Sequence, residues 1–104
     1  MRFRAASDGN QPAIIKALRD AGATVTPCHA VGKGFPDLVV GFCGVNYLIE
    51  VKDPSQPKHR HELTDPQVKW HGEWQGQVAK VFTADEALRV IGVIVDVPFR
   101  GDVS

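Results

Sequence analysis

Apolar residues recur at helical spacing near the start of the chain. Ile14, Ile15 and Leu18, with the small Ala17 and Ala21, mark one face of a helix that Gly22 stops. Asn10 can cap it, and Pro12 fits its first turn, where a missing N–H costs nothing. Residues 23–29 read as a short strand with Val25 between Thr24 and Thr26. Pro27 removes a ladder donor, so this strand belongs at an edge or carries a bulge. Two apolar runs, 37–42 and 45–52, flank a turn at Cys43-Gly44 and predict a β-hairpin. Residues 53–61, with Pro54 and Pro57, form a loop. Thr64 caps a second helix, ended by Gly76, whose stripe holds Gln67, Trp70, His71 and Trp74. The two tryptophans are expected to pack that helix on the sheet. Residues 78–82 give a fourth strand, and Thr83 caps a third helix reaching about Ile91, with Glu86 as capping-box partner. Residues 93–97 alternate weakly before Pro98.

The element order is α, β, β, β, α, β, α, with a further strand in the tail. The first three strands pair as a meander, and the third and fourth, joined through a helix, run parallel. The expected fold class is α/β, a small mixed β-sheet flanked by helices. At 104 residues the chain is read as one domain, with its core at about 8–92. The segment 93–104 is a tail that adds a strand or serves as a dimer element.

Composition narrows the function classes. Hydrophobic residues make up 43% and charged residues 23%, which argues against intrinsic disorder. No apolar run approaches the ~18 residues that span a bilayer. The charged start, Met1 to Arg4, is followed by no apolar segment of a secretory signal. Cys28 and Cys43 make no CxxC and read as free thiols in a reducing, cytoplasmic setting. Twelve basic residues balance twelve acidic ones, so a nucleic-acid role has to rest on a local patch.

The hairpin carries the candidate chemistry. Asp37 opens its first strand after Pro36, and Glu50-Val51-Lys52 close the second. Alternation sends Glu50 and Lys52 to one face and Val51 to the other. The start of one antiparallel strand lies beside the end of the next, so two carboxylates and an ammonium converge at one end of the sheet. Such an oxygen-rich group suits Mg²⁺ or Mn²⁺. A neighbouring lysine orients a water or stabilises charge on phosphorus, which suffices for phosphodiester hydrolysis. Taken alone, an ExK pair is commonly a surface ion pair worth under ~1 kcal/mol. Here it ends a strand, Tyr47-Leu48-Ile49, otherwise fit for the core.

Three segments in this order, Gly34-Phe35-Pro36-Asp37-Leu38, Tyr47 to Lys52, and Leu63-Thr64 through Gln67 to Trp70, closely resemble the VRR-NUC family. These are compact nucleases of the PD-(D/E)XK, restriction-endonuclease-like class, many of whose stand-alone members are carried by phages or prophages. The resemblance implies an αβββαβ core and a metal-dependent DNA endonuclease. It implies that Asp37, Glu50 and the Val51 carbonyl bind the metal, that Lys52 is the catalytic lysine, and that Gln67 is the family's glutamine on the second helix. Members commonly carry a first-helix glutamate that adds to the metal site. The matching position here is Gln11, with Asn10 or Asp8 as neighbouring alternatives. An amide is a weaker ligand, which points to one metal rather than two or to looser binding. The resemblance further implies a homodimer acting on branched DNA such as four-way (Holliday) junctions. The rival readings are a nuclease without structure preference and an inactive nucleic-acid-binding module.

Lys58, His59, Arg60 and His61 form the one basic cluster, and Lys33 and Lys69 are expected to extend it along a phosphate backbone. His59 and His61 match no standard zinc spacing. His29, beside Cys28 at a strand end, reads as structural.

Overall fold

The computed structural model describes residues 9–93. Over that range the first apolar stripe becomes α1 (Gln11–Asp20), with Ile14 and Leu18 fully buried. It is followed by β1 (Thr24–Pro27), β2 (Leu38–Phe42), β3 (Val45–Val51), α2 (Asp65–Glu73), β4 (Ala79–Val81) and α3 (Ala84–Val90). The sheet order is β1-β2-β3-β4. The meander is antiparallel, with Val25 opposite Val40 and Leu38 opposite Ile49, while β3 and β4 pair in parallel with Val51 beside Val81. Pro27 ends the edge strand, where its missing donor is harmless. The α/β architecture and the mixed sheet thus match the pattern of the sequence.

One sheet face supplies Leu38, Val40, Ile49, Val51 and Val81 to a core shared with Ile14 and Leu18 of α1 and with Ala87 and Ile91. Central β3 ends with Ile49, Glu50 and Val51 all buried, although Glu50 points away from that core. The charged end of β3 is therefore covered on both faces. The hairpin turn takes Cys43 to φ 51° and Gly44 to φ 81°, the two left-handed residues that a tight two-residue loop needs.

Several local expectations change. Asn10 stands at the N-cap of α1 in a helical conformation (φ −86°, ψ −5°) and makes no side-chain cap bond. Its Nδ2 instead donates to the carbonyls of Lys52 (3.0 Å) and Phe82 (2.8 Å), bridging the ends of β3 and β4. Glu86 bonds the N–H of Phe82 (2.6 Å), one residue before the Thr83 cap, so the expected capping box is displaced by one position. The complete capping box is at α2, where Thr64 and Gln67 satisfy each other's main chain. α2 ends before Gly76 because Trp74 turns extended (φ −72°, ψ 130°). Short 3-10 turns at His29–Val31 and Lys58–Arg60 lie in stretches without apolar periodicity, which hid them from sequence patterning.

The tryptophans do not pack α2 on the sheet in the expected way. No residue of α2 is fully buried, and Trp74 is 42% exposed. Trp70 stacks on Trp74 (centroids 4.7 Å, interplanar 19°) and meets Phe35 edge-on (5.3 Å, 76°). The ladder thus runs along the helix surface. Residues 94–97 of the expected tail strand, and with them the dimer element, lie outside the described residues, as does Asp8. Among the described residues no helix is long and apolar enough to cross a membrane, and Cys28 and Cys43 are free.

Asn10→Ala should lower stability by about 1–3 kcal/mol, because two partly buried carbonyls lose their donor. Urea unfolding followed by circular dichroism measures this.

Candidate active site

The hydrogen-bond ladder of the hairpin brings Asp37 beside the end of β3. Its Oδ2 accepts the Val51 N–H at 2.8 Å, while its own carbonyl accepts the Cys28 N–H at 2.7 Å. The residue is thereby fixed from both neighbouring strands. Its other carboxylate oxygen has no hydrogen-bond partner among the described residues. Asp37, Glu50, Val51, Lys52 and Gln67 line a cleft of about 320 Å³.

Gln67 organises the floor of that cleft. Its Nε2 donates to Glu50 Oε2 at 2.7 Å, and its Oε1 accepts from Lys52 Nζ at 2.9 Å and from the Thr64 N–H at 2.9 Å. Lys52 Nζ lies 3.7 Å from Glu50 Oε2, with both side chains more than nine-tenths buried. A buried ion pair is stable only when its remaining hydrogen-bonding capacity is met, and Gln67 contributes to meeting it for both charges. Val51 sends its side chain into the core, so its main chain is what faces the cleft.

The other sequence candidates are distributed differently. Gln11 is 3% exposed, does not line the cleft, and its Oε1 has no hydrogen-bond partner among the described residues. Lys33 is exposed and lines the cleft. Lys58, His59 and Arg60 are exposed on their 3-10 turn and do not line it. Lys69 pairs with Glu73 one helical turn away, which offsets its charge.

Two contributors, His29 and Gly34, and one buried neighbour, Asp53, were not legible as such. His29, read as structural, is exposed and lines the cleft; its place just past β1, opposite the start of β2, is the signal that points there. Asp53, next to Lys52, is buried but committed elsewhere: its Oδ1 accepts from the N–H (2.9 Å) and hydroxyl (2.7 Å) of Ser55. Those bonds hold its carboxyl below the usual range. Gly34, at φ +86°, touches the first turn of α2 so closely that a Cβ would stand 2.3 Å from the Pro66 carbonyl oxygen. It seats the turn from which Gln67 projects.

His71, on the same helix, has its Nε2 buried without a hydrogen-bond partner among the described residues. Burial first, and then the Lys52 and Lys80 ammonium groups, push its imidazole below its ordinary value. It is held neutral beside the charged cluster.

The donor set fits a hard divalent cation. The carboxylates of Asp37 and Glu50 and the main chain of Val51 are oxygen donors around one cleft, and one Asp37 oxygen is open. No group of three or more His, Cys, Asp or Glu able to hold a metal occurs among the described residues, so water has to complete any coordination shell.

No family model and no curated protein matches the chain at a significant level. Among solved structures it is similar to a VRR_NUC domain, with a TM-score of 0.59 and 22% identity, covering 78% of this chain and 88% of that one. The fold is that of a VRR_NUC domain. At this identity the likeness concerns the path of the backbone. Within the VRR_NUC fold of this chain, the acid-lined cleft lies where the β2–β3 hairpin meets the start of α2.

Gly34→Ala should destabilise by well over the ~1–2 kcal/mol of a left-handed alanine, because the Cβ also strikes Pro66. Gly44→Ala, with open space at φ +81°, should cost only the backbone part, and urea midpoints compare the two. For His71 the folded-state value is depressed, so its contribution is full above the unfolded value of about 6.5 and is lost as pH falls below it. Thermal midpoints should therefore drop on acidification from pH 6.5, and more steeply in wild type than in His71→Gln.

Proposed function

We propose that this chain is a divalent-metal-dependent nuclease that hydrolyses phosphodiester bonds in DNA. The observation that carries the reading is the meeting of Asp37, Glu50 and Lys52 at one cleft, with Gln67 bonded to two of them. The VRR_NUC fold and the motif resemblance of the sequence support the same chemistry.

In this reading Asp37, Glu50 and the Val51 carbonyl hold Mg²⁺ or Mn²⁺. The bound ion would polarise a phosphoryl oxygen and acidify a water. Asp37 is fixed by the Val51 N–H, so its open oxygen needs no reorganisation to act as a ligand. Lys52 holds its ammonium next to the phosphate site, where it orients the attacking water or offsets the negative charge that develops on phosphorus. Gln67 keeps Lys52 and Glu50 in register without itself changing charge.

The neutral chain has little long-range attraction for duplex DNA. Lys33 at the cleft and the exposed turn Lys58-His59-Arg60 supply phosphate contacts, with Lys69 a weaker contributor because Glu73 neutralises it. Selectivity for branched DNA, including four-way junctions, and action as a homodimer follow from the motif resemblance. A binding module without catalysis is the second reading. It is favoured by the neutral, buried Gln11, which adds no charge to the metal site.

Wild-type protein with Mn²⁺ or Mg²⁺ should cut DNA in a panel of junctions, flaps, linear duplex and single strands, and EDTA should abolish cutting. Lys52→Ala should lose roughly 100-fold or more of the rate. Isothermal titration should register Mn²⁺ binding to wild type but not to Asp37→Asn combined with Glu50→Gln. DNA binding without cleavage in either metal would replace the enzyme by the module.

A further inference from the structure

A second groove, of about 490 Å³, lies along α2 and shares Lys33 and Pro66 with the acid-lined cleft. Its remaining wall is Trp70, with Lys69, Asp65 and Glu73 at the sides. The walls are almost wholly apolar, and the flanking charges cancel. That character suits a flat uncharged ring rather than a phosphate. Trp70 is only half-buried, and the packing of Phe35 and Trp74 fixes its indole in place. A large aromatic ring held rigidly at the surface binds with little loss of conformational freedom.

The junction between the two clefts is itself unusual. Gly32, Lys33 and Gly34 all have positive φ (74°, 56° and 86°). A lysine in the left-handed region costs backbone energy, and such strain tends to mark functional sites. Gly34 cannot relax it, being pressed against Pro66. The strained loop thus holds Lys33 where both clefts meet.

We propose that this groove is a subsite for one unpaired nucleobase, packed against Trp70 and Pro66, whose phosphate meets Lys33 as the strand passes into the acid-lined cleft. The inference rests on the nuclease reading and deepens it. The substrate class becomes DNA with an unpaired nucleotide next to the cleaved bond. A base inside continuous duplex is stacked and cannot enter, so DNA with an unpaired nucleotide beside the cleft is preferred over blunt duplex.

Fluorescence anisotropy in EDTA tests this without cleavage. Three labelled duplexes are compared: one with a short single-stranded extension, one whose extension is wholly abasic, and one with blunt ends. Wild type should bind the base-bearing extension roughly 10-fold more tightly than the abasic one. Trp70→Ala should bind the base-bearing and the abasic extension alike. In Trp74→Phe, where Trp70 is the sole tryptophan, the base-bearing extension should quench indole emission and the abasic one should not. Equal wild-type affinity for base-bearing and abasic extensions overturns the subsite, even if the chain folds poorly without Trp70. So does a wild-type dimer that Trp70→Ala converts to a monomer in sedimentation, since a second copy then covers the groove. If Mn²⁺-dependent cleavage persists in either case, the nuclease reading survives. If no DNA is bound or cut, both fall.

Discussion

The amide of Gln67 is the constraint on which the site depends. A carboxylate and an ammonium sit buried, 3.7 Å apart, at the end of a central strand, and neither solvent nor the apolar core can stabilise them there. One neutral side chain donates to the acid and accepts from the base. The same Oε1 also completes the capping box that starts α2. Helix initiation and charge placement are therefore one event. A helix that began a residue earlier or later would withdraw the amide and leave two buried charges without their shared partner.

This coupling explains how α2 stays in place without a core-facing stripe. The helix buries none of its residues completely. It is held by Gln67, by the contact of Gly34 with Pro66, and by the edge-to-face contact of Trp70 with Phe35. Polar bonds and one close backbone approach replace apolar area. Such an element opens more readily than α1 or α3, which share the main core. The cleft is then built between a rigid sheet and a helix of lower local stability.

Most of the fold was legible because period-two and helical patterns report directly on what is buried. Val51 turns to the core and Glu50 to the other face as read, and the convergence of Asp37 with Glu50 and Lys52 follows from strand pairing alone. The errors have one source. Trp70 and Trp74 sit at helical spacing, which predicts a shared face but not whether the sheet or the solvent lies opposite it. Asn10 fits the residue type of a helix cap, but two strand-end carbonyls from distant parts of the chain take its amide. Gly34 and His29 act through long-range proximity that no local pattern encodes. Spacing reports on faces; it does not report on what arrives from elsewhere in the chain.

Asn10 and Gln67 do related work from two helices. Asn10, at the start of α1, grips the carbonyl of Lys52 and ties it to the end of β4. Gln67, in the first turn of α2, grips the ammonium of the same lysine. Lys52 is thus held at its main chain and at its tip, with its own N–H donated to the Val81 carbonyl at 2.9 Å. A lysine loses much rotamer freedom when its side chain is ordered, and the contacts of its tip with Gln67 and Glu50 supply that ordering while the other two bonds fix its main chain. In open α/β sheets, ligands bind beyond the carboxyl ends of strands, where side chains emerge free of the ladder. Here parallel β3 and β4 end together, antiparallel β2 starts beside them, and neutral amides fasten the charged groups. The placement of these charged groups is therefore set by the protein's own hydrogen bonds.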